Sequence, residues 1–119
     1  MTRFLKDEMG LIPTYVGIAN RNPQAPQTFA RFMGEEMANI VEVEADGYHV
    51  REALLRTKPR IVFGRHDDKS TCREIGSTYI GISFPLYDRI PIAERPLMGF
   101  AGAVNIFDEM INLYAREQI

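Results

Sequence analysis

Few residues in this 119-residue chain could do chemistry, and most of them fall between regular elements. His66-Asp67-Asp68 has the composition of a fragment of a metal or acid/base site. The plainer alternative is a solvated, charged turn, and no second histidine lies near it. His49 sits at the start of a helical segment further up the chain and is expected at the surface. Cys72 precedes Arg73 near another helix start, a setting that can activate a thiol. A free cysteine is more often a small buried hydrophobe, and a single thiol supplies neither an internal disulfide nor a cysteine-held cluster. Asp88-Arg89 and Glu94-Arg95 are charged pairs that could contact an anion or a cofactor. They stand among Phe84, Leu86, Tyr87, Ile90 and Ile92, so ion pairing within a packed loop, or contact with a partner subunit, is the better account. Gly99 and Gly102 open the last helical segment, where backbone N–H groups can receive an anion. No glycine-rich nucleotide fingerprint and no phosphate-binding loop with lysine occurs, so these glycines are expected to permit close packing. No catalytic residue and no metal ligand set follows from spacing. The candidates for cofactor contact are His66, Asp67, Asp88 and Arg89.

The composition excludes several classes. Acidic and basic residues are interspersed and the net charge is −2, without the basic face that nucleic-acid binding leaves or a charge bias toward a membrane surface. No apolar run approaches the roughly 18 residues of a membrane-spanning helix. The N-terminal residues MTRFLKDEMG have no apolar signal core, which points to a cytoplasmic protein. Hydrophobic residues make up 45%, enough for one folded core.

The elements that must position the candidates alternate between β-rich and helical runs, the pattern of parallel βα units. Residues 4–9 read as a helix closed by Gly10, and residues 11–19 as a strand with Pro13 near its start. Asn20-Arg21-Asn22-Pro23 is a loop. Pro26 opens a helix whose apolar face is expected to hold Phe29, Phe32, Met33 and Met37. Residues 39–45 read as a second strand, broken by Asp46-Gly47, and residues 48–57 as a helix with Val50, Ala53 and Leu54 inward. Lys58-Pro59 ends that helix, and residues 60–64 form a short, nearly all-apolar third strand. A charged loop at 65–69 leads to a short helix capped by Ser70 or Thr71 and ended by Gly76. Residues 78–83 are the fourth strand. After the loop 84–96, a helix over 99–117 carries Ala103, Ile106, Phe107, Met110, Leu113 and Tyr114 on one stripe. The expected fold is α/β: a three-layer Rossmann-like parallel sheet of about four strands flanked by helices. A doubly wound sheet ordinarily begins with a strand, and this one reads as lacking its first. A ligand in such a sheet sits at the carboxyl ends of the strands, where the loops at 20–22, 46–47, 65–68 and 87–89 meet.

The string Gly81-Ile82-Ser83-Phe84-Pro85-Leu86-Tyr87-Asp88-Arg89, followed by Gly99-Phe100-Ala101-Gly102-Ala103 and an amphipathic helix, resembles the C-terminal end of nitrogenase component 1 subunits. That family includes molybdenum-iron protein β subunits, their cofactor-assembly relatives and the dark-operative protochlorophyllide reductases. Lys58-Pro59-Arg60-Ile61-Val62-Phe63-Gly64 resembles a further family strand, with Arg60 where an acid is usual; Ser83 stands where a glycine is common. The similarity spans residues 3–115 and is most specific over 81–112.

The resemblance implies that residues 1–119 are a single C-terminal domain, a piece of a longer subunit. It implies an iron–sulfur or iron–molybdenum-type cluster in the parent complex, with none bound by this chain alone. The implied partners are a homologous subunit in an α/β complex and an ATP-dependent iron protein that delivers electrons. The α-type subunits place a cofactor-binding histidine before the last helix; residues 83–96 contain none, so the likeness is to β-type or scaffold-like subunits. Two alternatives stand beside the reductase: a non-catalytic scaffold for cofactor assembly, and a bare structural or interaction domain. Alone, the chain is expected to be inactive. The open sheet edges left by a missing first strand invite pairing with another chain, so a homo-oligomer is expected.

Overall fold

The computed structural model describes residues 2–82 and 99–118. The segment 83–98, with Asp88 and Arg89, lies outside the described residues. The chain divides into two compact units, Met1–Thr57 and Lys58–Ile119.

The first unit holds α1 (Thr2–Asp7), β1 (Val16–Ile18), α2 (Ala25–Met33), a 3-10 turn at Glu35–Ile40, β2 (Val41–Val43) and α3 (Gly47–Thr57). β1 and β2 are parallel, with Val16 opposite Val41 and Ile18 opposite Val43. Parallel neighbours need a long crossover, supplied by α2 and the 3-10 turn. Pro26 lies in the first turn of α2, where its missing N–H costs nothing. Gly34 stops the helix at φ +107°, and its N–H donates to the Ala30 carbonyl at 2.8 Å. That stop corrects two expectations. Met37 lies in the 3-10 turn rather than on α2, and residues 39 and 40 precede the strand. The strand expected over 11–19 shrinks to three residues, because a strand is only as long as its ladder and β2 offers three partners. Leu5, Ala25, Met33, Ala45, Ala53 and Leu54 are buried. Phe32, expected inward, is 61% exposed.

The second unit holds β3 (Ile61–Gly64), a 3-10 turn at His66–Asp68, α4 (Lys69–Ile75), β4 (Thr78–Gly81) and α5 (Gly99–Gln118). β3 and β4 are again parallel, from Ile61 opposite Thr78 to Gly64 opposite Gly81. α4 and α5 both pack on β4. Ile80 is fully buried there, and Val62, Cys72, Ile106 and Met110 are also buried. Gly76 ends α4 with φ +73°, the left-handed conformation in which the next N–H, from Ser77, reaches back to the Cys72 carbonyl at 2.9 Å. The start of β4 is tied to the start of β3: the Thr78 N–H donates to the Arg60 carbonyl at 2.8 Å, and the Ser77 hydroxyl donates to the Pro59 carbonyl.

All four expected strands are therefore present, short and parallel. Among the described residues they hydrogen-bond as two pairs, β1 with β2 and β3 with β4. This is a mixed α/β architecture of Rossmann-like parallel units, as the alternation in the sequence implied.

Two glycine substitutions separate close approach from chain entropy. A Cβ at Gly64 would lie 2.6 Å from the Asp68 Oδ2 atom, whereas one at Gly47 meets nothing within 4 Å. Gly64→Ala is expected to lower the unfolding free energy by about 1–3 kcal/mol through displacement of that carboxylate. Gly47→Ala is expected to leave it unchanged or raise it by up to about 1 kcal/mol. Urea unfolding of the two variants measures both.

Candidate functional site

In a parallel sheet the carboxyl ends of the strands are the place for ligands, and each unit has such an edge. In the first unit, β1 runs into Asn20-Arg21-Asn22 and β2 into Glu44-Ala45-Asp46. The backbone joins these two loops, since the Glu44 N–H donates to the Asn20 carbonyl and the Ala45 N–H to the Ile18 carbonyl at 3.0 Å. Arg21 Nε meets Glu44 Oε1 at 2.7 Å. Both side chains face solvent, so the pair adds little stability. Glu44 holds φ +55°, an uncommon backbone for a residue with a side chain.

Asp46, read from sequence as a strand breaker, caps α3. Its Oδ1 accepts from the His49 backbone N–H at 2.9 Å and lies 2.7 Å from His49 Nδ1. Acceptance from the backbone N–H, seconded by the His49 ring, holds the Asp46 carboxyl below its ordinary value despite some opposing desolvation. His49 is exposed, as expected, but it is committed to this cap. A third contact was not legible in the sequence: the Tyr15 hydroxyl donates to Glu42 Oε2 at 2.8 Å. Burial first, and the Glu42 carboxylate second, push the Tyr15 phenol well above its usual range.

In the second unit, the expected loop at 65–69 is a 3-10 turn running straight into α4. Its centre is Asp68, which is buried. Asp68 Oδ2 accepts from the Arg65 backbone N–H at 2.9 Å, and the Asp68 N–H donates back to the Arg65 carbonyl at 3.1 Å. The Arg65 Nε stands 4.0 Å from the same carboxylate. Asp68 thus closes the turn, and α4 starts at Lys69 rather than behind a Ser70 or Thr71 cap. His66 is half-buried and Asp67 exposed. With Lys69, Ser70 and Arg73 they line an open depression of about 370 Å³. The depression mixes two cations, a histidine and one carboxylate, which suits contact with a polar surface better than capture of one ion.

Asp88 and Arg89 lie outside the described residues. Among the described residues no group of three or more His, Cys, Asp or Glu side chains could hold a metal ion. Cys72 is 1% exposed. Desolvation, and then the nearby Asp68 charge, push its thiol up to about 11. Cys72 has no further His, Cys, Asp or Glu set around it that could share a metal ion among the described residues. The described residues therefore do not fit a metal cluster. No helix among them is long and apolar enough to cross a membrane.

The sheet-edge geometry is that of parallel α/β units whose carboxyl-end side chains, among the described residues, hold the loops together. Comparison with known proteins gives the chain its family. The model of the nitrogenase component 1 type oxidoreductases matches residues 1–115. This chain belongs to that family.

Among individual relatives it is 26% identical to the nitrogenase molybdenum-iron protein beta chain of Methanothermobacter thermautotrophicus, over 98% of this chain and 26% of that protein. It is 30% identical to a light-independent protochlorophyllide reductase subunit of a Methylobacterium species, over 71% of this chain and 17% of that protein. A solved structure described as nitrogenase Cp1 at pH 6.5 superposes with a TM-score of 0.79 at 24% identity, over 92% of this chain and 24% of that one. That likeness is one of fold. The chain spans about a quarter of the length of the curated beta chains it matches.

Two measurements follow from the raised pKa values of the buried Cys72 and the half-buried Tyr15. The Cys72 thiol is expected to resist iodoacetamide in the folded chain and to react fully in denaturant; equal rates in both states would contradict its burial. Cys72 and Tyr15 both have folded pKa values raised above the ordinary 9.0 and 10.0. The unfolded chain thus loses these protons first, so stability present below pH 9 falls as pH rises. Thermal melts across alkaline pH are expected to show that decline, and Tyr15→Phe to flatten it.

The Asp46 carboxyl has the opposite sign. Its depressed value stabilises the fold above the ordinary 3.8 and is lost as pH falls through it. Asp46→Ala is expected to lower Tm by roughly 5 °C at neutral pH, with the gap to the parent closing in acid.

Proposed function

We propose that this chain is a domain of a nitrogenase-like oxidoreductase subunit, one that helps house metal clusters in a larger complex. Reduction in that complex is driven by a separate ATP-dependent iron protein. The proposal takes residues 1–119 as one component 1-type domain of a longer subunit, in a cytoplasmic α/β assembly with a homologous subunit. The observation that carries it is the family match over residues 1–115, with nitrogenase beta chains among the relatives aligned along nearly the whole chain.

The domain's part in that assembly is structural. It supplies packing and subunit contacts, and the clusters take their ligands from elsewhere in the complex. His66 and Asp67, beside an open polar depression, and Asp88 and Arg89, in the family-like segment, are proposed as contacts to the partner subunit or to the edge of its cofactor. Isolated copies are proposed to associate. β1 and β3 each have a strand partner on one side only among the described residues, and an unpaired strand edge is a template for another strand.

The second reading is a non-catalytic scaffold for cofactor assembly. The absence of histidine from residues 83–96 is compatible with it, as it is with a β-type reductase subunit.

Anaerobic purification from the source organism, with a tag on this chain, tests both. A nitrogenase-like reductase subunit is expected to bring down a homologous partner and iron, and the complex to reduce substrate when an iron protein and ATP are added. Iron and a partner without substrate reduction, but with transfer of the cluster to another protein, would select the scaffold. A chain recovered without partner and without iron would sink both readings.

A further inference from the structure

α5 is apolar on two sides. Gly102, Ile106 and Met110 are buried, and the helix packs on β4. A second stripe faces solvent: Phe100 is 89% exposed, Val104 52%, Phe107 48% and Ile111 47%. The intervals are four, three and four residues, the spacing of a seam between two helices that pack knobs into holes. In heptad terms Val104 and Ile111 take the a positions and Phe100 and Phe107 the d positions. The stripe contains no charge.

We propose that this stripe is a self-docking face, on which α5 of one copy lies antiparallel to α5 of a second copy. A two-fold axis between Val104 and Phe107 sets Phe100 opposite the second Ile111 and Val104 opposite the second Phe107. Each layer then pairs one aromatic ring with one β-branched side chain, so the volumes match along the seam. Parallel packing does the reverse. It puts ring on ring and valine on valine and aligns the two helix dipoles. The seam is thus complementary to itself in one orientation, as a two-fold interface requires.

The four side chains bury roughly 400–500 Å² per copy, about half of the ~800 Å² that a standard interface takes. The pair is therefore reversible, with a dissociation constant on the order of 10–1,000 µM. The proposal does not depend on the reductase reading, nor on the strand edges.

Two measurements on the 119-residue chain test it. In sedimentation velocity from about 5 to 500 µM, the mean mass is expected to rise toward twice the monomer, and Phe107→Glu to shift that rise at least tenfold in concentration. Oxidative cross-linking of a mixture of Val104→Cys and Phe107→Cys chains is expected to join the two variants to each other several times faster than either to itself. The native Cys72 is buried and does not compete. Cross-linking needs no charged substitution, so it reads the register even if Phe107→Glu fails to fold. A monomer at 500 µM, association indifferent to a folded Phe107→Glu, or preferential joining of Val104→Cys to itself would each overturn the proposal.

Discussion

The Asp68 carboxylate stands at the point where β3 stops and the chain must turn back toward β4. Its Oδ2 holds the Arg65 N–H at 2.9 Å, and its own N–H is held by the Arg65 carbonyl. A buried acceptor without a donor costs more than the bond itself yields, so this reciprocal closure decides whether the turn can be buried at all. Gly64 makes it possible, because any Cβ there would intrude on the carboxylate. Once the turn is closed, α4 begins at Lys69. Thr71 and Cys72 then become buried, and Gly76 returns the chain in register for Thr78 to pair with Ile61. α5 packs on the strand so formed.

Much of this was legible in the sequence. The strand expected over residues 60–64, a nearly all-apolar run ended by glycine, is observed as Ile61–Gly64, one residue shorter. Gly76 and Pro26 act through backbone conformation, which their residue types dictate, so both fell where expected. What failed had non-local causes. Periodicity put Phe32 and Phe107 on apolar stripes but could not say which side of each helix meets a neighbour, and both are exposed. Residues 11–15 have β-forming composition without a partner strand, since ladder length is set by β2. Asp68 looked like one of three charged residues in a loop. Its separate role comes from burial beside Gly64, a relation that exists only once the chain is folded.

The candidate site was legible in place more than in chemistry. Residues 20–22, 46–47 and 65–68 do follow β1, β2 and β3, as strand order implied. Their charged side chains turn out to be spent on the fold: Asp46 on the α3 cap, Glu44 on Arg21, Asp68 on the turn. His66 and Asp67 line an open depression, and no convergent set of metal ligands occurs among the described residues. The beta chains that this chain resembles are about four times as long.

Arg60 shows how a departure from the family pattern can be absorbed. The resembling strand usually opens with an acid at this position. Here the guanidinium Nη2 donates to the Tyr114 hydroxyl on α5 at 3.3 Å, and the Arg60 carbonyl receives the Thr78 N–H. The backbone contact is indifferent to the side chain, so the strand start survives the change of charge. The new side-chain contact ties β3 to the far end of α5. The packing of α5 on β4 puts Ile106 and Met110 in the core and leaves Phe100, Val104, Phe107 and Ile111 outward, and the exposed Arg60–Tyr114 bond is compatible with that rotation. The exposure of the second stripe is then a consequence of the packing of the first. α5 is amphipathic toward its own unit and still apolar on part of its outer side, a combination that a single-stripe reading of the sequence does not reveal.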